Sequence, residues 1–133
     1  MFARLYPKIT ADHAEFYAEN GYLLIEEALN PAEVEELRNE ATAICRGDRG
    51  KHIRNYEPPH PTATDAEVLR QYLCIHFPHK LSAVMEKYLA HQTIVDVATQ
   101  VIGPNVKAMQ SMLFIKAAVP RGQSAQLPSH GRI

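Results

Sequence analysis

The chain has no tryptophan and only two cysteines, Cys45 and Cys74, among its 133 residues. The cysteines lie far apart and show no paired spacing, which suits a reducing compartment and two unpaired thiols. No run of about 18 apolar residues occurs, so we expect no transmembrane helix and no membrane partner. Residues 1–8 also lack the apolar segment of a secretory signal. These absences together predict a cytoplasmic protein.

An excess of positive charge is missing as well. The chain carries 14 Lys and Arg against 15 Asp and Glu, which gives a net charge of −1. Such a balance provides no basic face to attract a phosphate backbone, so we expect no nucleic-acid partner. The length fits one domain with a core of modest size.

Short catalytic motifs are absent too: the chain contains no G-x-S-x-G, no H-E-x-x-H and no glycine-rich phosphate loop. Among the histidines, His76 and His79 form an H-x-x-H pair, but Pro78 between them disfavours a continuous helix that would present both. A zinc site would also need a third or fourth ligand. We therefore interpret these histidines as structural, and assign no catalytic or metal-binding residue from the pattern alone.

What the chain does contain is clear helix signals. Thr10 is placed to cap a helix over residues 11–20, and Gly21 is placed to end it. Asn30 and Glu33 then form the sequence pattern of a capping box at the start of a second helix. The apolar positions of this second helix share one face: Val34, Leu37, Ala41 and Ile44. Its acidic positions are predicted to be solvated: Glu35, Glu36 and Glu40.

The rest of the chain mixes helices, strands and one long loop. Residues 46–63 have no hydrophobic period and are broken by Gly and Pro, which predicts a loop. Amphipathic spacing predicts helices near residues 81–89 and 94–102, the latter ended by Gly103. Two apolar runs have strand character: Tyr22 to Ile25, and Val106 to Lys116, the second predicted to be buried on both faces. The order of these elements predicts an α+β fold.

Two segments carry a further signal. The first is EFYAENGYLLI (residues 15–25) followed by LNPAEV (residues 29–34), and the second is QVIGPNV (residues 100–106) with MQSMLFIK (residues 109–116). In this order and spacing they resemble the phytanoyl-CoA dioxygenase family. The likeness extends over about residues 11–123, so residues 1–123 are interpreted as the N-terminal part of the family domain. Residues 124–133 are then a divergent tail that we expect to be disordered.

The resemblance implies a jelly roll, or double-stranded β-helix, that uses Fe(II), 2-oxoglutarate and O₂ to hydroxylate a small or CoA-linked substrate. Iron in such enzymes is held by two histidines and one carboxylate. The family's H-x-D motif follows soon after the second segment, but no H-x-D occurs in this chain. We therefore expect a truncated family member: helices packed on the start of an incomplete jelly roll, inactive alone and binding neither iron nor 2-oxoglutarate tightly.

The resemblance also implies two positions near the cosubstrate. Met112 matches one position that contacts 2-oxoglutarate in the family, and His76 aligns near another. Core packing is the competing interpretation of Met112, since methionine often fills irregular gaps. Two other functions stay open: a non-catalytic module that self-associates or pairs through an exposed strand edge, and an unrelated helical binding domain with a metal site at His76 and His79.

Overall fold

The computed structural model describes residues 7–50 and 57–116. In chain order the elements are α1 (Ala11–Asn20), α2 (Pro31–Arg46), α3 (Asp65–Arg70), β1 (Cys74–His76), a 3-10 turn (Pro78–Lys80), α4 (Ala83–Leu89), α5 (Gln92–Ile102) and β2 (Met112–Phe114). This content confirms the α+β class. The predicted tail, residues 124–133, lies outside the described residues, and so does the centre of the predicted loop.

The first two helices begin and end where the sequence predicts. Gly21 follows α1 with φ 76°, a left-handed conformation that costs glycine little. At the start of α2, the Asn30 side chain accepts from the Glu33 amide at 3.0 Å, and the Glu33 carboxylate accepts from the Asn30 amide at 2.7 Å. The predicted capping box is therefore confirmed. These signals are strong because each satisfies a backbone donor that the helix itself leaves unpaired.

The sheet differs from the prediction. β1 and β2 pair antiparallel, and within the described residues they form a two-stranded sheet. The strand predicted at Tyr22–Ile25 is wrong, because the backbone of that segment is irregular. Tyr22 and Leu24 are exposed there, and in the described parts of the chain no neighbouring strand pairs with its backbone groups. β1, in contrast, was not predicted as a strand.

The strand predicted over Val106–Lys116 is much shorter than expected. Only Met112–Phe114 is strand, and burial on both faces is wrong because Met109 and Phe114 are 78% and 65% exposed. Only one face of β2 meets the rest of the described chain. The jelly-roll continuation stays a prediction.

The core lies between α2 and the inner face of the sheet. Its buried members come from α2, α3, β1 and α4: Ala41, Ile44, Cys45, Val68, Ile75 and Met85. Leu113 of β2 packs against this cluster, so the core fixes which face of the sheet points inward. None of the helices in the described parts of the chain is long and apolar enough to cross a membrane.

Candidate functional site

The two predicted cosubstrate positions lie side by side in the sheet. The register places Cys74 opposite Phe114, Ile75 opposite Leu113 and His76 opposite Met112. Because strand side chains alternate between faces, Ile75 and Leu113 point to the core and the other four point away from it. We call these four the outer face: Cys74, His76, Met112 and Phe114.

The hydrogen-bond pattern of the sheet places the His76 and Met112 side chains close together. The Phe77 amide donates to the Ser111 carbonyl, and the Ile115 amide donates to the Leu73 carbonyl, both at 2.9 Å. Hydrogen-bonded and non-hydrogen-bonded pairs alternate along an antiparallel ladder, so His76 and Met112 form a non-hydrogen-bonded pair. In such pairs the Cα atoms are only about 4.5 Å apart and the side chains are at their closest.

The outer face joins an imidazole, a thiol and a thioether. The Cys74 Sγ atom lies 3.6 Å from the His76 Nε2 atom. Both cysteines are free, but their surroundings differ. Cys45 is fully buried in the core, and burial raises the pKa of its thiol to about 11. Cys74 is half-buried beside the exposed His76, so it is the more accessible thiol of the two.

His76 and His79 have different partners, as the proline between them predicts. His79 Nδ1 lies 2.5 Å from the Ser111 hydroxyl, while His76 faces Cys74 from within β1. Phe77 between them has a left-handed φ of 54°, which turns the chain from β1 into the 3-10 turn. Among residues 7–50 and 57–116, no group of three or more His, Cys, Asp or Glu side chains could hold a metal ion. The described residues therefore do not fit an iron facial triad.

The segments that contain the two strands carry positive charge and no negative charge. Residues 71–85 and 97–116, which contain both strands, include no Asp or Glu. They do include Lys80, Lys107 and Lys116. Although the whole chain has a net charge of −1, the segments around the outer face favour an anion.

A second polar cluster connects α2 to α4 and the start of α5. The Tyr88 hydroxyl donates to the Glu36 carboxylate at 2.6 Å, and Lys87 Nζ donates to the same oxygen at 2.9 Å. These hydrogen bonds lower the pKa of Glu36. His91 stacks on Tyr88 and lies 3.3 Å from the Glu33 carboxylate. Since Glu33 is also the capping residue of α2, this cluster stabilises helix packing.

One acidic residue of α2 is not solvated, contrary to the prediction. Glu40 is buried, and Arg49 donates to its two carboxylate oxygens at 2.7 and 2.8 Å. The Arg49 guanidinium, with help from Ser82, lowers the pKa of Glu40. The helical pattern could not show this, because Arg49 lies in the loop beyond the end of α2.

An open groove of about 430 Å³ lies between the first half of α1 and the loop that follows the helix. Its apolar lining comes from Phe16 and residues 22–24, and its polar lining includes His13. His13 is held as part of the α1 cap, since its Nδ1 accepts from the Thr10 amide at 3.1 Å. The groove contains neither His76 nor Met112, so it is separate from the outer face.

Comparison with known families finds a match over most of the chain. Residues 17–130 match the family model described as Phytanoyl-CoA dioxygenase (PhyH). This range includes both strands and all four residues of the outer face. Neither a curated protein nor a solved structure matches the chain.

Proposed function

The chain belongs to the phytanoyl-CoA dioxygenase family, and we propose that it forms the helical front of a dioxygenase domain and one wall of the 2-oxoglutarate pocket. Enzymes of this family use Fe(II) and 2-oxoglutarate and act on small molecules. Family membership also excludes the alternative of an unrelated helical domain. The two free thiols support a reducing, cytoplasmic setting for this function.

One observation carries the proposal. His76 and Met112 were each related to the cosubstrate by resemblance, from segments far apart in sequence, and they are direct cross-strand neighbours on the outer face. A chance pair of core residues would more often point inward. Instead Met112 is 37% exposed and His76 is exposed, which argues against the core-packing interpretation of Met112.

The chemistry of the outer face suits a dicarboxylate with a short apolar chain. A histidine N–H can donate to a carboxylate or keto oxygen, and the methionine side chain provides apolar contact for methylene groups. The lysines of the flanking segments supply positive charge with no acidic residue nearby in sequence. We propose that His76 orients the cosubstrate and that Met112 packs against it.

The residues that hold iron in the family are missing from this chain. All 133 residues lack an H-x-D motif, and the described residues do not fit the triad. These observations support the further proposal that these 133 residues have no dioxygenase activity by themselves. Anaerobic titration with Fe(II) should show no tight binding, and no succinate should form when 2-oxoglutarate and oxygen are added.

Methionine methyl NMR tests the cosubstrate wall directly. The chain has four methionines, and 2-oxoglutarate should shift the Met112 methyl signal while leaving that of Met109, an exposed residue of the same segment, in place. In a chain joined to the iron-binding half of a family member, Met112→Ala should weaken 2-oxoglutarate binding more than it lowers the melting temperature. Equal shifts at Met109 and Met112, or a larger effect of Met112→Ala on melting than on binding, would contradict the proposal.

Exposed apolar side chains favour a second candidate function, association through the strands. Leu73 precedes β1 and Phe114 is the last residue of β2, and they are 61% and 65% exposed. Each strand pairs on one side only within the described residues. Such an edge is a template for another strand. We propose that the chain self-associates or pairs with a longer relative here. Sedimentation that shows a monomer at all concentrations would contradict self-association.

A further inference from the structure

We propose that Cys74, His76 and Met112 form a binding site for a single Cu(I) ion on the outer face of the sheet. The three side chains supply a thiolate, an imidazole and a thioether from adjacent positions on one surface. The site uses no residue of an H-x-D motif, since the chain has none, and its existence does not depend on 2-oxoglutarate binding.

The distance between the first two donors fits a bound metal ion. Cys74 Sγ and His76 Nε2 are 3.6 Å apart. With metal–sulfur and metal–nitrogen bonds of about 2.3 and 2.0 Å, that separation corresponds to an S–metal–N angle of about 114°. This angle lies between the tetrahedral and trigonal values, so an ion could bind between the two atoms without movement of the backbone.

Met112 is placed to provide the third donor. It is the cross-strand partner of His76 in a non-hydrogen-bonded pair, in which Cβ atoms are about 4.5–5.5 Å apart. Its three rotatable bonds let the thioether adapt to an ion bound at the His76 ring. Phe114, opposite Cys74, provides an apolar neighbour on the open side.

The donor set and the surrounding charge select the metal. Thiolate and thioether ligands favour Cu(I), whereas Mg²⁺, Ca²⁺ and Mn²⁺ prefer carboxylate and carbonyl oxygens. Zinc is bound in proteins by Cys, His, Asp and Glu, whereas the third donor of the outer face is a thioether. Lysines and no carboxylates occur in the flanking segments, so a monovalent ion, neutralised by one thiolate, costs less electrostatically than a divalent one.

Competition with a chromogenic Cu(I) chelator, bicinchoninate, under anaerobic reducing conditions tests the site. The intact chain should remove a single Cu(I) ion per molecule from the chelator, and X-ray absorption should report two sulfur ligands and one nitrogen ligand. Cys74→Ser and His76→Gln should each abolish Cu(I) binding. Met112→Leu should lower the affinity for Cu(I), so that the chelator keeps the ion. Circular dichroism on each variant checks that the fold is kept.

Matched controls use the second cysteine and a second methionine. Cys45→Ser and Met109→Leu should bind copper as the unchanged chain does. The proposal is overturned if no copper is captured, if Met112→Leu binds as tightly as the unchanged chain, or if Cys45→Ser abolishes binding. None of these results would alter the methyl shifts expected with 2-oxoglutarate on metal-free protein, so the two proposals fail separately.

Discussion

Ile75→Ala should destabilise the chain strongly, because Ile75 is the residue that attaches the centre of the sheet to the core. It is 2% exposed and belongs to the buried cluster with Ile44 and Val68. The substitution removes three carbon atoms, worth about 2.4 kcal/mol at roughly 0.8 kcal/mol per buried methylene. A cavity contribution is added to this. We expect a loss of about 3 kcal/mol in the free energy of unfolding, within the range measured for such truncations.

Two matched variants test whether the loss of stability depends on the number of atoms removed and on burial. Ile75→Val removes one methylene and should cost about 1 kcal/mol. Phe114→Ala changes a residue of the outer face that is 65% exposed, and it should cost well under half as much as Ile75→Ala. Urea denaturation followed by circular dichroism measures all three, and equal slopes of the unfolding transitions would show that the comparison is between similar unfolded states.

An equal cost for Phe114→Ala and Ile75→Ala would refute this reasoning. A one-residue slip in register turns every side chain of a strand to the opposite face, so it would bring Phe114 against the core. The assignment of His76 and Met112 to the outer face would then be wrong, and both binding proposals would lose their basis.

Three further predictions concern an ion pair, a helix cap and solubility. Because folding lowers the pKa of Glu40, its contribution to stability is complete above the ordinary carboxyl pKa and is lost as the pH falls through the lowered value. The difference in the free energy of unfolding between the unchanged chain and Arg49→Met should therefore become smaller in acid. A difference that is constant from pH 7 to pH 3 would contradict this. Asn30→Ala removes the cap of α2 and should cost about 0.5–2 kcal/mol in urea denaturation; an unchanged midpoint would argue against the capping box. Phe114→Lys should raise solubility in a precipitation assay because its side chain is exposed, whereas Leu113→Lys should unfold the chain because Leu113 packs on the core; the opposite order would reverse the two faces of β2.

The sequence alone determined the helices, because helix signals are local. Asn30 and Glu33 satisfy each other's backbone groups three residues apart, and Gly21 ends α1 from the next position along the chain. Such contacts form between residues close in sequence and do not depend on the tertiary structure. The order of two short segments was also enough to relate the chain to its family, which the family match over residues 17–130 confirms.

Only the tertiary structure decided the site. A β-strand needs a neighbouring strand to pair with. Tyr22–Ile25 has the composition of a strand but is not one, whereas β1 forms because it pairs with β2. The same pairing brings His76 next to Met112, a contact that no local pattern encodes. Glu40 is buried rather than solvated for a similar reason, since its Arg49 partner follows the end of α2 and is brought back to it by the turn at Gly47. Helical caps depend on neighbours along the chain, whereas sheet pairing and buried charge depend on neighbours in space.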